Sequence, residues 1–241
     1  MTWSIIARDE KTGAFGVAVT TKFFAVGSLC PHAMGKVGAL ATQALINPMY
    51  GVQGMAMLRD GVPAPDVVSR LIGADAGRAT RQLHVIDAAG RIAAHTGADC
   101  IDWAGHRVGP TFSVAGNMLA GPDVVGKTYE SFAANGAKPL AERSIDALDA
   151  GQAVGGDKRG KQSAALIIYE GQDYPCLSLR VDDHEEPLAE LRRLYRMSLG
   201  RFAAFVTIMA TKENPTGIYD RNVLEAEVAR REALLAKGLP V

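Results

Sequence analysis

The sequence predicts an α+β fold of four layers, in which two stacked, mainly antiparallel sheets lie between layers of helices (αββα). Three observations carry this. Hairpin-forming strand pairs recur along the chain, helices enter between them in pairs, and the strands consist of small and apolar residues without clean polar alternation. Sheets buried on both faces need strands of that kind. At 241 residues, 48% of them hydrophobic and 22% charged, the chain can bury a full core.

In chain order, residues 3–9, the turn Glu10-Lys11-Thr12-Gly13 and residues 14–20 form the first hairpin, with Phe15, Val17 and Val19 alternating with small residues. Residues 21–27 form a loop, and residues 37–45 a third strand rich in small residues. Asn47-Pro48-Met49-Tyr50-Gly51 combines a turn with helix-start chemistry, and apolar spacing near 3.6 predicts helices over 52–60 and 65–74. Residues 81–86 and 91–96 flank Asp87-Ala88-Ala89-Gly90 as a second hairpin. Residues 99–109 read as a polar, aromatic-bearing loop before a strand over 111–117. A helix pair over 122–134 and 140–151 follows, the first with Pro in its opening turn. Strands over 162–169 and 177–181 and a helix over 187–199 complete one domain, residues 1–199. Residues 200–241, with a charged amphipathic helix over 223–237, read as a C-terminal helical extension that packs on the domain or on a partner subunit. The chain is therefore expected to form a homo-oligomer, a dimer or higher, through these helices.

Composition narrows the function. The formal net charge of zero creates no global field for nucleic acid or for an acidic membrane surface. No long uncharged apolar run and no signal-peptide pattern occur, so a cytoplasmic protein is expected. Cys30, Cys100 and Cys176 lack CxxC spacing and read as reduced thiols rather than a disulfide frame or a zinc site. Asp182-Asp183-His184-Glu185-Glu186 has ligand-type side chains, but the helix that follows explains its acids more simply. No metal and no cofactor are expected.

The residues that can carry chemistry start at Met1-Thr2. Removal of Met1 before a small residue leaves Thr2 with a hydroxyl and a free α-amine, and that amine can take the hydroxyl proton. In an antiparallel hairpin the end of the second strand lies beside the start of the first, which brings Thr21 or Lys22 near this terminus. Lys22 then depresses the pKa of the amine, or else it is a loop lysine lying over Phe23 and Phe24. The loop Gly155-Gly156-Asp157-Lys158-Arg159-Gly160-Lys161-Gln162-Ser163 frees its backbone through glycines. It can bind an anionic group, or place Asp157 and Ser163 beside a nucleophile. Gln43, Asn47 and Asn117 stand at the ends of buried strands as oxyanion donors or substrate anchors. Ile101-Asp102-Trp103-Ala104-Gly105-His106 supplies an acid, an indole and an imidazole for a pocket wall.

These stretches resemble a known family. Residues 2–9, Gly16-Val17-Ala18-Val19, residues 22–27, Ala41-Thr42-Gln43-Ala44, Trp103-Ala104-Gly105-His106, residues 116–121, residues 155–163 and Arg180-Val181-Asp182-Asp183-His184 carry the resemblance. The family is DUF1028, uncharacterised proteins classed with the N-terminal-nucleophile hydrolases. The resemblance runs from Thr2 to about Leu194 and implies the same four-layer sandwich and an amide-hydrolase ancestry. It places Thr2 as nucleophile and Lys22 as the tuning lysine, while Lys36 stands where glycine is expected. The resulting expectation is a hydrolase of a small-molecule C–N (amide-like) bond with Thr2 as nucleophile and its α-amine as base. Lys22 and Asp157 set the electrostatics, Ser163 sits beside the nucleophile, and Asn117 or Gln43 donates to the oxyanion. Trp103, His106, Lys158, Arg159, Gln162 and Asn47 shape the binding of a substrate that carries a carboxylate. The alternative is a non-catalytic small-ligand binding protein that keeps the fold.

Overall fold

Alternation of side chains along each strand decides how the layers stack. In β1 (Thr2–Arg8), Thr2, Ser4 and Ile6 face one way while Trp3, Ile5 and Ala7 face the other, and all six are buried. A strand covered on both faces belongs to a sheet with a layer on each side, and β1 is also an interior strand of its sheet. The computed structural model, which describes residues 2–239, pairs β1 with β2 (Phe15–Thr21) on one side and β8 (Phe112–Asn117) on the other, both antiparallel.

Ten strands and seven α-helices are present among the described residues. The remaining strands are β3 (Pro31–Met34), β4 (Gly38–Ala44), β5 (Arg81–Asp87), β6 (Ile92–Thr96), β7 (Gly105–Val108), β9 (Ser163–Tyr169) and β10 (Leu177–Val181). The helices are α1 (Pro48–Arg59), α2 (Ala64–Gly73), α3 (Pro122–Ala134), α4 (Leu140–Ala153), α5 (Pro187–Ser198), α6 (Arg201–Ile208) and α7 (Arg221–Ala236). A six-stranded sheet runs β10-β9-β2-β1-β8-β7 and a four-stranded sheet runs β3-β4-β5-β6. Helices α3 and α4 pack on the larger sheet, and α1 and α2 on the smaller. The inner faces meet through Ile6, Val17, Val19, Ala39, Ala41 and Ile86. The chain is the expected α+β sandwich of two sheets between helices.

Two strands and one helix escape the sequence reading. Strand β3 is short, opens on Pro31 and forms the edge of the smaller sheet. Proline is tolerated there because an edge strand leaves one row of N–H groups unpaired. Strand β7 is the polar edge of the larger sheet, inside the stretch 99–109 read as a loop. Helix α6 is eight residues long with one fully buried side chain, Ala204, so its periodicity is faint.

The chain divides into two compact units, one ending at Leu191 and one from Arg192 on. In the second unit α6 and α7 pack through Ala204, Leu224 and Val228, and Arg201 pairs with Glu225 at 2.6 Å. No helix among the described residues is long and apolar enough to cross a membrane.

Candidate active site

The antiparallel register sets Thr2 opposite Thr21 at the end of β2 and opposite Asn117 at the end of β8. Three strand ends therefore converge at the chain start. The Thr2 and Thr21 hydroxyls are 3.1 Å apart and hydrogen-bonded. The expected removal of Met1 concerns a residue outside the described ones.

Thr2 lies in the wall of a cavity of about 470 Å³. Asn117, Arg159, Thr80, Asp99 and Cys100 supply the other polar groups of its lining. The remainder is apolar, chiefly Phe23, Val26, Leu29, Leu45, Ile101 and Met118. Four non-glycine residues among those described have left-handed backbone, and three of them border this cavity. Ala44 (φ 69°) and Met118 (φ 58°) line it, and Ala25 (φ 53°) precedes Val26, which also lines it. Each such residue costs on the order of 1 kcal/mol or more, and such strain concentrates at functional sites. The fourth is Lys36 (φ 63°), at the position where the family resemblance calls for glycine.

Asp157, buried in the glycine-rich loop, fastens that loop to the end of β2. Its carboxylate accepts the backbone N–H of Lys22 at 2.7 Å and of Arg159 at 2.8 Å. The Arg159 guanidinium touches the same carboxylate at 3.3–3.5 Å. Ser163 performs a similar task, donating to the Phe23 carbonyl at 2.6 Å and accepting the Val26 N–H at 3.2 Å. Together they shape the segment from Lys22 to Val26 that supplies part of the cavity wall.

Beneath Thr2, between the sheets, lies a buried polar network. Gln43 Nε2 donates to Gln82 Oε1 (2.7 Å), the Ala115 carbonyl (3.2 Å) and the Thr2 carbonyl (3.4 Å). Asn117 Nδ2 donates to Gln82 Oε1 (3.0 Å) and to the Thr2 carbonyl (3.4 Å). The amide nitrogens of both residues are thus already engaged with protein acceptors. The network continues to a fixed tautomer. Ser4 donates to Gln43 Oε1 at 2.6 Å, so the Ser4 oxygen accepts from His84 Nε2–H at 2.9 Å. The bare His84 Nδ1 then accepts from the Ser113 hydroxyl at 3.1 Å. Burial, with His106 adding a smaller push, lowers the His84 pKa to about 3, so the ring is neutral.

The other sequence-predicted residues lie elsewhere. The Lys22 ammonium bonds the Lys161 carbonyl at 3.1 Å and lines a separate polar cleft with Gln162, Asp183, His184 and Glu185. Gln162 donates to Asp183 at 3.1 Å. Asn47 caps α1, accepting the Met49 N–H at 3.1 Å and donating to Asp75 at 3.2 Å. His106 bonds Thr96 at 2.9 Å on strand β7, and Lys158 bonds the Asp102 carbonyl at 2.8 Å. None of Lys22, Asn47, Trp103, His106, Lys158 or Gln162 lines the cavity at Thr2. Gln82, His84, Ser4 and Ser113 were missed. Their signal was present: Gln82 and His84 alternate with Leu83 and Val85, and the sequence does not tell whether that polar stripe faces solvent or the other sheet.

The chain belongs to the DUF1028 family, a family of unknown function, whose model matches residues 2–191. Its structure is similar to the crystal structure of protein SPO2555 from Silicibacter pomeroyi, described with the same family model. The two share 32% sequence identity with a TM-score of 0.85, over 91% of this chain and 96% of that chain. Weaker similarity connects it with Anbu (ancestral beta-subunit) from Yersinia bercovieri, at 12% identity and TM-score 0.37, over 87% of this chain and 99% of that one. An Anbu (Gly-1) mutant from Hyphomicrobium sp. strain MC1 gives 13% identity and TM-score 0.35, over 88% and 100% of the two chains. No curated protein matches the sequence.

Proposed function

We propose that this member of the DUF1028 family is a hydrolase of a small-molecule C–N (amide-like) bond, with Thr2 as nucleophile after loss of Met1. The observation that carries the proposal is the placement of Thr2. It heads a central strand, its side chain is held by Thr21, and it lies in the wall of an enclosing, largely apolar cavity.

In this scheme the Thr2 hydroxyl attacks the substrate carbonyl carbon, and its proton passes to the Thr2 α-amine. Thr21 holds the hydroxyl through the 3.1 Å bond. The new O–C bond converts the carbonyl to an oxyanion. Gln43 and Asn117 both reach the Thr2 carbonyl through long, readily exchanged 3.4 Å bonds, and of the two only Asn117 lines the cavity, which makes Asn117 the side-chain donor to the oxyanion. Collapse breaks the C–N bond, the ammonium returns its proton to the leaving nitrogen, and water hydrolyses the acyl ester on Thr2. Asp157 and Ser163 act by holding the cavity wall.

Thr2→Ala should abolish turnover across a panel of small amides, ureides and acyl-amino acids while leaving the melting temperature near that of the wild type, and Thr2→Ser should retain part of the rate. Undiminished turnover by Thr2→Ala overturns the proposal. A homo-oligomer through the C-terminal helices belongs to the same proposal. Truncation after Leu199 with unchanged oligomeric mass removes it.

A further inference from the structure

Four sequence-predicted binding residues, Arg159, Lys158, Trp103 and His106, separate in the structure: only Arg159 lines the cavity at Thr2. Among the described residues it is the single cationic side chain of that lining. The Asp157 carboxylate beside it already receives two backbone N–H groups at 2.7 and 2.8 Å. The guanidinium contacts to it are longer, 3.3–3.5 Å, and the Arg159 side chain is 43% exposed. A planar guanidinium that stands half-exposed in a cavity lining is the cation whose shape matches a carboxylate in a two-pronged contact.

The wall that completes the cavity is apolar and open at its lip. Phe23 is 51% exposed, Leu45 63% and Ile101 61%, and all three line the cavity. Large side chains so exposed on one concave surface mark a place where an apolar group lies down. The cavity thus offers a cation on the glycine-rich loop and an extended greasy wall, with Thr2 in the same lining.

We infer that the site takes an N-acyl amino acid or a close analogue, with its carboxylate on Arg159 and its acyl chain along Phe23, Leu45 and Ile101. This inference rests on the reading of Thr2 as nucleophile for the position of the scissile amide. It does not rest on it for binding. Asp99, also in the lining, gives the opposite possibility of a cationic ligand, and the test separates the two.

The experiment is calorimetric titration of the Thr2→Ala protein, which cannot consume its ligand by the proposed route. The probes are N-octanoylglycine, its neutral glycinamide, a cationic N-octanoyl diamine, and N-acetylglycine. N-octanoylglycine should bind about 10-fold to 100-fold more tightly than the glycinamide, the worth of a charge-assisted hydrogen bond. Arg159→Gln should erase that preference and Arg159→Lys should keep part of it. Each methylene that reaches the wall adds about fourfold, so N-acetylglycine should bind far more weakly. Equal binding of acid and amide, tighter binding of the diamine, a preference that survives Arg159→Gln, or no gain from the long chain overturns the inference. If Thr2→Ala binds N-octanoylglycine as stated but the wild type does not hydrolyse it, the nucleophile reading fails and this one stands. Turnover of amides without regard to charge or chain length gives the reverse.

Discussion

His84 offers a prediction that can be worked through from the structure. It is buried among Ser4, Ser113 and the inter-sheet layer, and its folded pKa is near 3 where an unfolded histidine titrates near 6.5. The folded state therefore binds fewer protons than the unfolded state between those values. Stability is complete above the unfolded pKa and falls as the pH is lowered through the window from about 6.5 to about 3. The slope approaches about 1.4 kcal/mol per pH unit, and from pH 7 to pH 5 this one group removes roughly 2 kcal/mol. Other groups titrate too, so the useful quantity is the difference between wild type and His84→Gln. Urea unfolding at pH 7 and pH 5 should show the wild type losing roughly 2 kcal/mol more than the variant. Parallel pH profiles would refute the reasoning, as would a nitrogen NMR spectrum with the proton on Nδ1 rather than Nε2 at neutral pH.

Three further outcomes follow from the same geometry. Thr21→Val removes the hydroxyl 3.1 Å from Thr2; turnover of the best amide substrate should fall about tenfold or more with little change in melting temperature. Asp157→Asn presents an amide N–H where the carboxylate accepts two backbone N–H groups, and should cost about 1–3 kcal/mol in urea titrations. Gly97→Ala would put a methyl 2.2 Å from the Ala79 carbonyl oxygen, close behind Thr80 and Asp99 of the cavity, and should destabilise by about 1–3 kcal/mol in the same assay.

The fold was legible because its strands and helices obey local rules. Pro48 and Pro122 each stand in the first turn of a helix, and Asn47 caps α1. The hairpin of β1 and β2 fixes the register by itself, and with it the meeting of Thr2 and Thr21. What failed was the direction of long side chains beyond a strand end. Lys22 has its backbone at the site, but its four-carbon stem carries the charge to the Lys161 carbonyl. Gln43 and Asn117 were legible as buried amides at strand ends. Their shared partner Gln82 was not: it stands opposite Gln43 on the neighbouring strand β5 and reaches Asn117 across to the other sheet, and sheet stacking is a long-range fact that no local pattern encodes. The apolar lip of the cavity was equally hidden, because Phe23, Leu45 and Ile101 come from three separate loops.

The most direct test of the account is the intact mass of the protein produced without any N-terminal tag. The account predicts a chain one methionine lighter than the encoded sequence, with Thr2 and its free amine at the terminus. A chain that keeps Met1 leaves the Thr2 hydroxyl without its base and contradicts the mechanism.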